Sequence, residues 1–89
     1  MTNEELEKKI KAALPENWKF DRLFTPDGDK WAGGFRVKCP INDRMGDNKA
    51  FRAKIDTICQ ATNAVYDGGG WAIGGDVYDN FFYVKKEEL

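Results

Sequence analysis

The sequence contains no histidine and no serine in its 89 residues. Their absence removes the Ser-His-Asp triad and the Cys-His dyad. It also leaves no side chain whose ordinary pKa lies near seven for general-base work. Cysteine is scarce: Cys39 and Cys59 alone cannot complete a four-ligand zinc site, and no histidine can help them. Both fall at apolar positions of expected elements and read as inert, buried thiols. The start, Met1-Thr2-Asn3-Glu4-Glu5, is acidic and polar and carries no visible secretory signal, so a disulfide is not expected. No apolar run approaches the roughly 18 residues of a membrane span. The expectation is a cytoplasmic protein without membrane, cofactor or metal.

An excess of charge is missing too. Fourteen basic residues face fifteen acidic ones, for a net charge of −1. A chain that holds nucleic acid by bulk positive charge is thereby excluded, and so is a highly charged disordered tail. What remains is ordinary for a globular protein: 42% hydrophobic and 33% charged residues. A mass of 10.1 kDa leaves room for one domain over residues 1–89.

Helical signals come first. Thr2 precedes Glu5 by three residues, a capping-box spacing. Leu6, Ile10, Ala13 and Leu14 follow at helical intervals, and Pro15 closes the run, so the spacing predicts a helix over 3–13. A second stripe, Phe51, Ile55, Ile58, Thr62 and Val65, predicts a helix from about 48 to 65. Asp67-Gly68-Gly69-Gly70 is expected to stop it. Ile41 to Gly46 reads as a polar connection.

Strand signals fill the gaps. Trp18, Phe20 and Phe24 share one side of a run that is broken only at Arg22. Thr25-Pro26-Asp27-Gly28-Asp29 is turn chemistry. Trp31, Gly33, Phe35, Val37 and Cys39 then alternate with Lys30, Ala32, Gly34, Arg36 and Lys38, which completes an antiparallel hairpin. A second hairpin is expected from Trp71–Tyr78 and Phe81–Lys85 around Asp79-Asn80. In that register Trp71, Ile73 and Val77 join Phe82 and Val84 in the core. A competing register turns at Gly74-Gly75 and runs one strand through to Val84; the first is preferred because it pairs apolar with apolar residues. The fold class is α+β in the order α-β-β-α-β-β, with two helices on one face of a four-stranded antiparallel sheet.

The other sheet face is the candidate site. It is expected to carry Lys19, Arg36 and Lys38 from the first hairpin and Tyr78, Phe81, Tyr83 and Lys85 from the second, with Gly34 and Gly74 leaving room for close approach. Aromatic and basic residues on an open sheet can stack bases and neutralise phosphates. The same residues also suit a plain solvated sheet. The glycine segments lack a phosphate-loop motif and follow a helix instead of preceding one. Asp27, Asp29, Asp43, Asp47, Asp67, Asp76 and Asp79 mostly flank turns and form no calcium-loop pattern. Aromatics at 13% of so short a chain exceed what the core needs and favour an interface. The leading expectation is a non-enzymatic protein-binding module, of the kind found among inhibitors, adaptors and virus- or phage-encoded antagonists of host machinery. The alternative is a single-stranded nucleic-acid binder using the same sheet face.

Overall fold

The computed structural model describes residues 2–71 and 74–87. Its elements are α1 (Asn3–Ala13), β1 (Lys19–Phe24), β2 (Trp31–Pro40), α2 (Ile41–Met45), α3 (Asn48–Thr62), β3 (Ala64–Trp71) and β4 (Val77–Lys85). The result is an α+β fold with one open antiparallel sheet in the strand order β1-β2-β4-β3. The expected class and sheet are present, with a short third helix added.

The Thr2 hydroxyl accepts the Glu5 N–H at 3.1 Å and starts α1 where the capping pattern placed it. Leu6 and Ile10, one turn apart, bury against α3 and the sheet. The segment read as a polar connection coils instead into α2, which closes when Gly46 N–H reaches the Asn42 carbonyl at 2.9 Å. Asp47 caps α3 by accepting the Lys49 N–H at 3.0 Å. Phe51, Ile55, Ile58 and Thr62 form its buried stripe. The helix ends at Thr62, not near Val65. Asn63 takes the left-handed conformation (φ 54°, ψ 44°) that usually falls to glycine, and its N–H caps the Cys59 carbonyl. Val65 and the run Asp67–Gly70 therefore lie inside β3 and do not end a helix.

The preferred register of the second hairpin is corrected. Asp79 and Asn80 sit in the middle of β4, opposite Lys38 and Val37 of β2. The turn falls at Gly74-Gly75, whose φ angles of 109° and 81° suit glycine alone. Tyr78 consequently turns to the helix side with Asn80, Phe82 and Val84, all buried. Trp71 is opposite Tyr78 on the last described rung of the β3–β4 ladder, and it is 59% exposed instead of buried. Ile73, assigned to the same face, lies outside the described residues.

Two bulges also shift the first hairpin. One falls at Asp21, between Phe20 and Arg22. It leaves Phe20 and Leu23 facing the core and sends Phe24 to the open face, opposite Gly34. The other falls between Trp31 and Gly33 and moves Trp31 to the open face, opposite Lys85. Phe35 and Phe82 stack at the centre of the core, with ring centroids 4.8 Å apart and planes 8° off parallel. Trp18 packs beside Phe51 and donates its indole N–H to Asp43 at 2.7 Å.

Candidate functional site

The helices cover one side of the sheet, and the other side is built in rows that run across the strands. The register places Lys19, Lys38, Asp79 and Gly70 in one row. Arg36 and Phe81 form the next, with Asp21 and Arg22 of the bulge beside them. Phe24, Gly34, Tyr83 and Val65 form a third, and Trp31 and Lys85 close that end. One end of the face is charged and the other is aromatic.

The aromatic end is interlocked. Trp31 stacks on Tyr83 with centroids 5.3 Å apart and planes 24° off parallel. Phe24 stands edge-on to Tyr83 at 5.8 Å and to Phe81 at 6.4 Å. These are the offset and edge-to-face geometries that ring quadrupoles favour. Gly34 makes the arrangement possible: a methyl group there would come within 2.6 Å of Phe24 Cζ. The bare backbone lets the ring lie across it, as aromatic residues often do over sheet glycines. Phe24 and Trp31 also line a cleft of about 530 Å³ that continues round the end of the sheet to Asn3 and Leu6 of α1.

Charge on this face is of mixed sign. Arg36 is ion-paired to Asp21 through Nε, and its guanidinium lies 6.0 Å from the centre of the Phe81 ring. One carboxylate oxygen of Asp79 is buried and has no hydrogen-bond donor among the described residues. Native structures leave few such atoms.

Of the sequence-predicted set, the structure gathers Lys19, Arg36, Lys38, Phe81, Tyr83 and Lys85 on or at the rim of this face. Tyr78 is removed from it, buried on the other side beneath Trp71 and Arg44. Gly74 belongs to the turn and not to the face. Phe24, Trp31, Asp21 and Asp79 are added. For Asp21 and Phe24 the signal in the sequence is the break in alternation at Arg22, which is the mark of the β1 bulge; Trp31 and Asp79 have no such signal. Asp43 and Asp47 are structural, serving Trp18 and the α3 cap.

The thiols are free, Cys39 buried and Cys59 partly so. Burial pushes both above their ordinary range; the Asn80 amide donates to Cys39 and only partly offsets this. Thiols held protonated are weak nucleophiles. Among the described residues no group of acidic or sulfur ligands converges on a metal position, and no helix is long and apolar enough to cross a membrane. The chain matches no protein-family model, no curated protein and no solved structure.

Proposed function

We propose that this chain is a non-enzymatic binding module that docks on another protein through its open sheet face. The observation that carries the reading is the interlocked slab of Phe24, Trp31, Phe81 and Tyr83, each partly exposed on the sheet face opposite the helices. Large, rigid aromatic side chains ringed by charge are the composition of interface centres. Occupying a partner's surface is how small inhibitors and adaptors act, including antagonists encoded by viruses and phages.

Two features favour protein over single-stranded nucleic acid. Base stacking uses free ring faces, whereas Trp31 and Tyr83 already lie on each other. Phosphate binding uses free cations, whereas Arg36 is neutralised by Asp21, and Asp79 stands next to Lys38. The test is a pair of measurements on wild type and Tyr83→Ala. Capture from a cell lysate should recover a protein with wild type and lose it with the variant. Oligonucleotide anisotropy at 50 and 200 mM salt should show no tight binding. Micromolar binding of single strands with a steep salt slope, abolished by Tyr83→Ala, would transfer the face to nucleic acid.

A further inference from the structure

The helix side of the sheet carries a second surface feature, independent of the aromatic face. Arg44 of α2 is held between two rings, its guanidinium carbon 5.2 Å from the Phe51 centroid and 5.4 Å from that of Tyr78. Trp71 stands edge-on to the same Tyr78 ring at 5.4 Å and is largely exposed. The next residue after Arg44, Met45, is 65% exposed. Arg44, Phe51 and Tyr78 line a cleft of about 140 Å³ together with Asn48, Arg52 and Tyr66, and Trp71 adjoins it through its contact with Tyr78.

The guanidinium's hydrogen-bonding capacity is unused. Among the described residues, neither Arg44 nor Arg52 donates a side-chain hydrogen bond or has a carboxylate within 4.0 Å. The adjacent acid, Asp43, is engaged elsewhere: its Oδ2 accepts from Trp18 at 2.7 Å and from Lys54 at 3.4 Å. No acidic residue lines the cleft. Arginine's five donors lie in its plane, so a guanidinium clamped by rings is oriented in advance and still able to take a carboxylate bidentately.

We infer that this cleft is the docking point for an acidic side chain, Asp or Glu, on a segment of a partner protein, with an adjoining apolar residue resting on Trp71. Charge complementarity selects the carboxylate: two unpaired arginines line the cleft and no acid does. Size selects a side chain over a nucleotide, since pockets for drug-sized ligands begin at roughly 300 Å³. Trp, Tyr and Arg packed in one place are also the residue types that dominate binding energy at protein interfaces.

The probes are the peptides N-acetyl-tetraglutamate amide and N-acetyl-tetraglutamine amide, titrated while the Trp71 indole and Arg44 Nε–H resonances are followed by NMR. The glutamate peptide should shift both resonances saturably, and the glutamine peptide should not. Arg44→Lys keeps the charge but loses the fork and should weaken binding at least fivefold. Arg52→Gln, on the exposed side of α3, gives a second test that leaves the core untouched and should also weaken it. Lys9→Gln removes an equal charge from α1, away from the cleft, and should change nothing. Equal weakening by Lys9→Gln and Arg52→Gln, with none by Arg44→Lys, would reduce the effect to bulk charge and overturn the assignment. Stronger perturbation of the same resonances by inorganic phosphate than by the glutamate peptide would also overturn it.

Discussion

Asn80 is a residue with a strong turn preference, placed at the centre of a strand. Its side chain is fully buried, and its carbonyl accepts the Tyr66 hydroxyl at 2.8 Å. Its amide donates to the Val37 carbonyl at 3.3 Å and to Cys39 Sγ at 3.2 Å. The turn reading of Asp79-Asn80 fails because this network satisfies the amide inside the core, something a one-dimensional pattern cannot display. Asn80→Ala should cost about 2–3 kcal/mol, since it removes the partner of the part-buried Tyr66 hydroxyl and opens a cavity in the core. For a chain of this size, that lowers the melting temperature by about 10–20 °C. Tyr66 adds a pH dependence. Burial raises its pKa above the ordinary value of 10, with the nearby Tyr78 contributing in the same direction. The folded state then holds the proton more tightly than the unfolded chain does. The associated stability is whole below about pH 10 and is lost as pH climbs toward the folded value. Cys39 and Cys59, raised from 9, begin the same decline about one unit lower. Denaturant melts should show stability falling from about pH 9 upward, with a shallower slope above pH 10 in Tyr66→Phe.

At the scale of elements, local rules locate the two long helices and tertiary rules set the strands. The α1 range and the buried stripe of α3 were legible because capping chemistry and a 3.6-residue period are local properties. The strand faces were harder to read. A single bulge reverses every later side chain, and nothing local announces where a bulge falls except a break in alternation such as the one at Arg22. That is why the open face is only half legible: alternation puts Phe81, Tyr83, Arg36 and Lys38 on it, as the register does, but groups Phe24 and Trp31 with the apolar side. The glycines of β3 read as a helix stop for a related reason. Gly69 pairs with Asn80, and a methyl group there would press on the Asp79 carbonyl and come within 2.5 Å of Tyr78 Cε2. The residue is glycine because two strands and a ring meet there, and not because a helix must stop. Gly69→Ala should therefore destabilise by about 1–3 kcal/mol through overpacking. Gly70→Ala, where no atom stands within 4 Å of the added methyl, should change the melting temperature by no more than a few degrees. Equal losses at the two positions would show that flexibility, and not contact, explains the glycine run.

The whole molecule is a sheet with two unlike faces, and under the proposed function the difference separates stability from binding. The helix side holds Phe35, Phe82, Val37 and Ile58, all fully buried, and most of the burial that keeps the fold together. The open side holds four aromatic residues whose contacts are mainly with each other. Losing one ring–ring pair costs about 0.5–1.5 kcal/mol, well below the cost of a core truncation. Trp31→Gln combined with Tyr83→Thr removes two such pairs and should thus leave a folded protein whose melting temperature is lower by about 5–20 °C. If the open face is the docking surface, the same pair should weaken partner binding at least a hundredfold. The heat capacity of binding provides a second measure. Docking of the aromatic slab removes apolar surface from water and gives a negative heat-capacity change, which the double substitution should shrink. Calorimetry at several temperatures reads this directly. A complex whose heat-capacity change and affinity are both unmoved by the double substitution would place the interface elsewhere on the molecule.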